Sequence, residues 1–319
     1  MRRRTVLALS AVFALGAGTA CNREHKRVIA VIPKGRVHLF WQSVHAGANK
    51  AARETGVEVL WTGPQSETDY TGQLQIVDAM INRRVDAIAV APIDRKVLVA
   101  AVERAAREKI PVFIFDSGID TEQFVAQVMT DNYRGGEIAA ERVGQLLSGK
   151  GKVAIIAAVP GAGSTMQREQ GFRKTIESKF PGIQIVAEQY GNGDYAKSMA
   201  VTENILTAHP DLDALFGSNE SSTIGASQAI KSRTTHAKLV GFDSSPGVLD
   251  DLAAGRIDSV VVQDPFFMGY ETVRLASLDL NGQAVKKVND VDPKLVDRNN
   301  LDTPEVQARV KPDLKKYLE

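Results

Sequence analysis

The two halves of this 319-residue chain repeat one pattern of short apolar runs at a constant spacing. Residues 111–117, Pro-Val-Phe-Ile-Phe-Asp-Ser, resemble residues 238–244, Lys-Leu-Val-Gly-Phe-Asp-Ser, and Asp243 follows Asp116 by 127 positions (243 − 116). Short apolar runs rich in β-branched and aromatic residues are typical of buried parallel strands. The carboxylate after such a strand lies at its carboxyl end, where open α/β sheets bind ligands.

Three further pairs of predicted strands share this offset. They are Val28–Ile32 with Ile155–Val159, Val57–Leu60 with Gln184–Ala187, and the runs that begin at Asp86 and Asp213. One offset across four successive strands indicates two copies of a βαβ-rich unit, and the period is too long for a solenoid repeat. We therefore predict the α/β class, with two similar lobes that face each other.

Composition narrows the class of partner. A chain of this length allows about two domains at ~150 residues each. The net charge of +1 gives no argument for nucleic acid or for an acidic partner. After the N-terminus, no run approaches the ~18 consecutive apolar residues of a membrane-spanning helix.

The N-terminal segment is predicted to be separate from the fold. Residues 1–20 combine a basic start with an apolar run, Thr5–Ala17, as in a signal peptide. Cys21, the one cysteine, follows small residues, which predicts a lipid-modified N-terminus with 21–26 as a tether. The alternative is an ordinary cleavage site, because Gly18 lies three residues before Cys21, where lipoprotein signals usually carry leucine. Export by the Sec or the twin-arginine route stays open, and no internal disulfide can form.

The motifs of several enzyme classes are incomplete. Residues 144–150 fit most of a phosphate-binding loop, but Gly151 replaces the required Ser or Thr and a helix precedes the motif. The five histidines never occur at i, i+4, so no helical zinc pair is predicted. No Gly-x-Ser-x-Gly elbow is present. We therefore predict no catalytic residues, no metal and no cofactor, and a protein that is not an enzyme.

A set of motifs at the predicted strand ends matches one family. The motifs are Val90-Ala-Pro92, Phe115-Asp116, Thr130-Asp131-Asn132, Arg168 before Gly171-Phe172, Leu206-Thr-Ala-His-Pro210, Gly241-Phe-Asp243 and Gln263-Asp-Pro265. From about Arg27 to Gly282 the chain resembles the periplasmic sugar-binding proteins of the ribose-binding type, the solute receptors of ABC importers. The motifs are specific for the superfamily and much less so for the ligand.

The resemblance implies an architecture of two Rossmann-like lobes with parallel sheets, joined by a three-strand hinge around a ligand cleft. It assigns residues 27–131 and 264–282 to the N-terminal lobe, and residues 132–263 with part of 283–319 to the C-terminal lobe. The hinge crossings are expected near Asn132, near Gln263 and after Gly282. Beyond Gly282 the chain is polar, and we predict irregular structure with a helix that begins near 302–304.

The resemblance also implies a set of ligand-binding residues. They are His38, Phe40, Trp41, Asp116, Ser117, Arg168, Tyr195, Asn219, Asp243 and Gln263. Aromatic faces suit the C–H faces of a sugar, and a carboxylate accepts hydrogen bonds from two hydroxyls at once. Other roles remain open: core packing for the aromatic residues, helix capping for the carboxylates, a surface ion pair for the arginine, and turns or strand ends for the amides. Phe40 and Trp41 fall in a predicted loop at 36–41, before the first helix.

Two departures from the family bear on the ligand. His38 stands where ribose binders carry an asparagine, and Ser117 stands where they carry an arginine. The resemblance therefore implies a larger hexose or a cyclitol rather than ribose in the familiar pose. We expect Asp116→Ala and Asp243→Ala to weaken binding and to leave the fold intact.

The predicted function is that of a lipid-anchored, monomeric receptor in the periplasm or at the cell surface. It would capture a monosaccharide or related polyol by lobe closure and deliver it to an ABC permease. A sensor for a chemoreceptor or histidine kinase is the alternative, and a non-sugar ligand such as an amino acid is another. A repressor would need a helix-turn-helix where the signal peptide lies.

Overall fold

The computed structural model of this chain describes residues 26–319. The predicted signal peptide and Cys21 lie outside the described residues. Within 26–319, no helix is long and apolar enough to cross a membrane.

Six parallel strands form the first sheet, in the order β11-β5-β4-β3-β1-β2. Their bounds are β1 Val28–Ile32, β2 Glu58–Trp61, β3 Ala87–Val90, β4 Val112–Phe115, β5 Ala126–Thr130 and β11 Val288–Val291. The central strands β3 and β4 are buried at every position, as expected for a sheet covered by helices on both faces.

The second sheet has the order β12-β10-β9-β8-β6-β7, which repeats the first sheet element for element. Its strands are β6 Lys150–Ala157, β7 Gly182–Tyr190, β8 Ala214–Gly217, β9 Lys238–Phe242, β10 Ser259–Val262 and β12 Lys294–Asp297. At one edge of this otherwise parallel sheet, β12 runs antiparallel to β10. The reason is that β12 enters from the first lobe beside the end of β10, so Lys294 pairs with Val262.

Helices cover both faces of each sheet, and the two sheets with their helices form the first and the second lobe. The helices are α1 Leu39–Thr55, α2 Tyr70–Arg83, α3 Val99–Arg107, α4 Asn132–Leu146, α5 Gly163–Lys179, α6 Tyr195–Ala208, α7 Glu220–Ser232, α8 Pro246–Ala253, α9 Pro265–Leu280, α10 Pro304–Val310 and α11 Lys315–Leu318. Four apolar clusters of buried residues, one on each face of each sheet, form the cores. Phe40 and Trp41 lie in the first turn of α1 rather than in the predicted loop, because the helix begins after His38.

The chain passes between the lobes three times beside the cleft. The first crossing lies between β5 and α4, where Asp131 caps α4 by accepting a hydrogen bond from the Arg134 amide. The second lies between β10 and α9, at residues 263–264. The third lies at residues 292–293, between β11 in the first sheet and β12 in the second.

The structure corrects the prediction for the C-terminal segment. Residues 283–319 are not irregular throughout: they form β11, β12, α10 and α11, and α10 begins at Pro304, within the predicted helix start. Because β11 completes the edge of the first sheet, the third crossing, expected after Gly282, lies beyond Val291. Both strands are short and only partly apolar, and each is specified by a partner strand far away in the sequence.

The last residues make a fourth connection between the lobes. In α10, Val306 and Val310 are buried in a core of the second lobe. α11 then returns to the first lobe, where the Asn49 amide donates to the Tyr317 carbonyl at 2.9 Å. No part of the sequence pattern indicated this crossing.

Candidate functional site

The two aspartates of the repeated pattern occupy equivalent positions at the carboxyl ends of β4 and β9. Both have left-handed backbone conformations, with φ of 61° at Asp116 and 73° at Asp243. Each backbone N–H donates to the adjacent strand at 3.0 Å, from Asp116 to Val128 and from Asp243 to Val261. Non-glycine residues with positive φ are uncommon, and they concentrate at functional sites. Both side chains are buried, and both line one cavity between the lobes.

Lys34 gives Asp116 a buried ionic partner. Lys34 Nζ lies 2.6 Å from Asp116 Oδ2, and the two side chains are 5% and 4% exposed. The same ammonium donates to Ser164 Oγ at 2.9 Å, which joins the first lobe to the second. Beside it, the Ser164 amide donates to Ser117 Oγ at 3.0 Å. Ser117 therefore contacts the opposite lobe, although it does not line the cavity.

Two side chains of the first lobe donate to Glu67. One of its oxygens, Oε1, accepts hydrogen bonds from His38 Nδ1 at 2.9 Å and from Trp41 Nε1 at 2.8 Å. The other imidazole nitrogen of His38, Nε2, lies 3.0 Å from the carbonyl oxygen of Gly193 in the second lobe. Because both nitrogens of His38 face acceptors, the geometry favours the doubly protonated imidazolium, a donor at both nitrogens.

The opposite charges of His38 and Glu67 shift the pKa of both groups. Burial disfavours the imidazolium of His38, but the Glu67 carboxylate outweighs burial, and the pKa of His38 is raised to about 9. Burial likewise opposes ionisation of Glu67, but His38 and Lys34 lower the pKa of Glu67 to about 2. The stability from a raised histidine pKa is complete below the ordinary value of 6.5 and is lost as pH rises through about 9.

Between pH 6.5 and 9 we therefore expect the free energy of unfolding of the wild type to fall relative to that of the His38→Gln variant. The expected loss is on the order of 2–3 kcal/mol, since one pKa unit corresponds to about 1.4 kcal/mol. His45→Gln is the control. His45 stacks on Trp61 outside the cleft, and burial lowers its pKa, whereas the pKa of His38 is raised. Urea denaturation at each pH measures the difference. Parallel curves for the wild type and His38→Gln would contradict the assignment.

Arg168 enters the cavity from α5 of the second lobe. Its Nε donates to Asn132 Oδ1 at 2.8 Å and its Nη1 donates to the Ser218 carbonyl at 3.0 Å. The guanidinium lies over the Phe242 ring, 4.1 Å from the centroid. These contacts hold a buried arginine in one position. They also leave less of its fork free for a carboxylate ligand.

The close packing of α4 on α5 places Arg168. A side chain at Gly136 of α4 would put its Cβ 2.0 Å from the Arg168 carbonyl oxygen, so only glycine permits this approach. Asn132, in the first turn of the same helix, then reaches the guanidinium. The spacing between the two helices therefore fixes the depth to which Arg168 enters the cleft.

The N-terminus of α7 supplies a further carboxylate, Glu220. Its Oε1 accepts from the Tyr195 hydroxyl at 2.8 Å, and its Oε2 lies 3.4 Å from the backbone nitrogen of Phe40 in the first lobe. Burial raises the pKa of Glu220, with a further contribution from Asp243. The preceding residue, Asn219, lines the cavity and also caps α7 by accepting from the Ser222 amide.

Gln263 connects the hinge to the site. Its Nε2 donates to Asp243 Oδ1 at 2.7 Å, and its Oε1 accepts from the Thr130 hydroxyl at 2.8 Å. Thr130 ends β5 before the first crossing, and Gln263 follows β10 in the second crossing. A rotation of the lobes therefore changes the surroundings of one of the site carboxylates directly.

Eight of the ten predicted ligand-binding residues line the cavity between the lobes. They are His38, Phe40, Trp41, Asp116, Arg168, Asn219, Asp243 and Gln263. Ser117 and Tyr195 instead contact residues of the cavity wall, Ser164 and Glu220. Among residues 26–319 no group of three or more histidine, cysteine or acidic side chains is arranged to hold a metal ion.

Five residues of the lining were missed by the sequence argument: Lys34, Glu67, Ser164, Thr165 and Glu220. Lys34 follows β1 as Asp116 follows β4, and Glu220 is adjacent to Asn219, so both stand at strand ends. Their positions at strand ends were the sequence signal that could have identified them. Glu67 lies in a polar loop between β2 and α2, with nothing in its neighbours to mark it.

The lobes touch each other around the cavity, which measures about 30 Å³. Contacts include His38 with Gly193 and the Arg95 amide with the Gly161 carbonyl, 3.2 Å apart. A Cβ on Gly163 would lie 3.3 Å from Gly118 and Ser117, so glycine allows this approach. Contacts between the lobes therefore flank the site, and we expect a ligand of sugar size to enter when the lobes separate.

Comparison with known proteins identifies the family. A family model described as "Periplasmic binding protein domain" matches residues 29–284, and the chain belongs to this family. The ribose import binding protein RbsB of Bacillus subtilis (strain 168) is 31% identical over 256 residues, which cover 80% of this chain and 82% of that protein.

Solved structures agree with the sequence match. A carbohydrate transporter solute-binding protein from Agrobacterium radiobacter in complex with D-arabinose has a TM-score of 0.87 at 34% identity, over 90% of this chain and 99% of that one. An ABC transporter solute-binding protein from Agrobacterium vitis bound to α-D-tagatopyranose has a TM-score of 0.85 at 30% identity, over 89% and 99%. The fold and the family are thus those of ribose-type periplasmic sugar-binding proteins, which are solute-binding proteins for transport and not enzymes.

Proposed function

We propose that this member of the periplasmic binding protein family captures a monosaccharide or related polyol outside the cytoplasm and delivers it to an ABC permease. One observation carries the proposal: Asp116 from the first lobe and Asp243 from the second line one cavity between the lobes, together with Phe40, Trp41 and Arg168. Carboxylates accept from pairs of hydroxyls, and aromatic rings contact the C–H faces of sugars.

The balance of charge in the cavity favours a neutral ligand. Its cations, Lys34, Arg168 and the imidazolium of His38, already face carboxylates or carbonyl oxygens. Asp116, Glu67, Glu220 and Asp243 add four carboxylates to the lining. An acidic ligand would face these carboxylates, and each of the three cations already has a partner. Binding such a ligand would require a buried ion pair to break, which is costly. A polyol hydroxyl can donate to the carboxylates and accept from the cations.

Ligand binding is proposed to act through lobe closure. A ligand shifts the equilibrium only by its difference in affinity for the open and closed states. Side chains from both lobes surround the cavity, so a ligand makes all its contacts only in the closed form. The permease would recognise that form, in which both lobes present their surfaces in one fixed arrangement.

Relatives suggest which ligands to test. Structures similar to this one hold D-arabinose, α-D-tagatopyranose and D-fucose, and relatives in sequence are named for ribose and allose. We expect calorimetric titration of residues 26–319 with these five sugars to give one-site binding, at micromolar Kd or tighter, for at least one of them. L-Glutamate and D-ribose 5-phosphate are the charged controls and should not bind. Saturable binding of a charged control, with no binding of any sugar, would overturn the proposal.

Anchoring to the membrane is proposed from Cys21. It follows an apolar segment and small residues, as the lipid-modified cysteine of a bacterial lipoprotein does. A protein held at the membrane beside the permease would act as a monomer at high local concentration. Mass spectrometry of the mature N-terminus should find Cys21 as the first residue, with diacylglycerol and further acyl groups attached. An unmodified first residue would remove this part of the proposal.

A further inference from the structure

A second cavity of about 310 Å³ adjoins the sugar site on the side of the C-terminal tail. Its walls come from the N-terminal turns of α1, α8 and α9, from the end of α10 and from the residues that link α10 to α11. Cavities of roughly 300 Å³ and above are the size that small-molecule ligands occupy in proteins. The sugar site itself is about one tenth of this volume in the closed form.

Four side chains separate the two cavities and line both of them: Phe40, Glu220, Asp243 and Gln263. The contact between the Phe40 amide and Glu220 Oε2 is long, at 3.4 Å. A hydrogen bond of that length is weak. A ligand bound between the lobes therefore has these four residues between it and the second cavity.

The second cavity is mostly apolar. Leu39, Pro246, Pro265, Val310, Pro312 and Leu314 contribute to its walls. Such walls suit a ring with an apolar face. Its charged residues are two carboxylates, Glu220 and Asp243, and two cations, Arg309 and Lys311, so the lining has no net sign that would select a charged group.

One hydroxyl in this cavity lacks a partner. The Ser245 side chain lines it, is 8% exposed, and its Oγ has no hydrogen-bond partner among residues 26–319. Buried polar groups in native proteins nearly always have a partner, so an unpartnered hydroxyl at a cavity wall marks a place for a ligand's polar atom. The neighbouring Ser244 and Ser43 add further hydroxyls to the lining.

The tail that closes this cavity is fixed to both lobes. Val306 and Val310 are buried in the second lobe, whereas the Tyr317 and Lys316 carbonyls accept from Asn49 and Arg53 of α1. The Tyr317 ring also packs against Phe266, 5.6 Å away. The cavity thus has both lobes as walls and, like the sugar site, is complete only in the closed form.

We infer that the second cavity is a second compartment of the ligand site, which takes a neutral ring attached to the sugar. The natural ligand would be a glycoside whose monosaccharide lies between Asp116 and Asp243 and whose second ring, a sugar or an aryl group, lies against Leu314 and Pro312. The attached ring would reach the cavity between Glu220 and Gln263, with Ser245 donating to or accepting from it. This inference rests on the proposed function, because it presupposes a sugar in the first compartment.

Paired titrations test this inference. The probes are D-ribose, D-arabinose, D-allose and D-fucose, the phenyl α- and β-glycosides of each, and their β-glucosyl disaccharides. For at least one parent sugar that binds, we expect a phenyl glycoside or disaccharide to bind about tenfold more tightly, since burial of one ring face contributes a few kcal/mol before its costs. The phenyl and glucosyl arms decide which ring the cavity prefers.

Cavity-filling variants locate the effect. Ser43→Phe and Leu314→Trp place bulk in the second cavity at positions that do not line the first. Both should weaken the glycoside at least tenfold and leave the parent sugar within twofold. Gln42→Phe, an exposed neighbour on the same helix, should change neither affinity.

Three results would overturn the second compartment. If parent sugars bind and every glycoside binds tenfold more weakly, the inference fails while the proposed function stands. If the filling variants weaken parent and glycoside equally, the larger cavity is itself the monosaccharide site. If neither parents nor glycosides bind, the proposed function fails and the inference fails with it.

Discussion

Asp116→Ala should lower the free energy of unfolding by about 3–5 kcal/mol in the absence of ligand, because it leaves the ammonium of Lys34 buried without its partner. Lys34 Nζ and Asp116 Oδ2 are 2.6 Å apart, and both side chains are almost completely buried. From sequence alone we expected this variant to keep its fold undisturbed. The buried lysine, which the sequence did not reveal, changes that expectation.

An exposed ion pair with the same nitrogen–oxygen distance is the control. Arg95 Nη2 and Asp120 Oδ1 are also 2.6 Å apart, but their side chains are 50% and 30% exposed. Asp120→Ala should cost about 0–1 kcal/mol, as exposed pairs usually do. The double variant Lys34→Met/Asp116→Leu should recover most of the stability that Asp116→Ala loses, because it removes both charges. If Asp116→Ala and Asp120→Ala unfold at the same urea concentration, the ion pair is not buried in solution.

Asp243→Asn should weaken sugar binding without lowering stability, whereas Asp116→Ala should lower stability. Burial raises the pKa of Asp243, and Asp116 adds to this effect, although Arg168 and Gln263 oppose it. A raised carboxylate pKa means that the charged form is disfavoured by folding, so stability declines as pH rises through that pKa. The neutral, isosteric amide should therefore unfold at the same or a slightly higher urea concentration at pH 7.

The same substitution should weaken sugar binding by roughly 100-fold. Hydrogen bonds to a charged group contribute about 1.5–3 kcal/mol each, and the amide replaces one acceptor with a donor. Asp264→Asn is the control, since that carboxylate is also partly buried but caps α9 and does not line the cavity. Calorimetric titration measures both variants. An affinity for Asp243→Asn within threefold of the wild type would exclude Asp243 from the site.

The sequence predicted those features that depend on local pattern. The 127-residue offset indicated two similar lobes, and the two sheets have the same strand order and differ only in the direction of one edge strand. Asp116 and Asp243 could be placed because strand ends are visible in a sequence as the end of an apolar run. The family resemblance added Arg168, whose position depends on the approach of α4 to α5 at Gly136.

Other features depend on partners that are remote in sequence. Glu67 lies among polar residues of a loop, and only the fold brings it to His38 and Trp41. The strand β11 has few apolar residues and is defined by its pairing with β5, about 160 residues earlier. The crossing of the tail to α1 depends on two backbone carbonyls, which carry no sequence signal. Sequence pattern therefore revealed the frame of the site but not its charge network.

Single-molecule energy transfer between the lobes tests the central claim, that a sugar is held between two lobes that close on it. The described chain contains no cysteine, so Gln65→Cys and Lys197→Cys, both exposed and on opposite lobes near the Glu67–Gly193 contact, accept one dye each. We predict that a binding sugar shortens the distance between the dyes, with a midpoint equal to the calorimetric Kd, and that Asp243→Asn moves that midpoint to roughly 100-fold higher concentration. A distance that stays unchanged while calorimetry shows saturation would contradict the account.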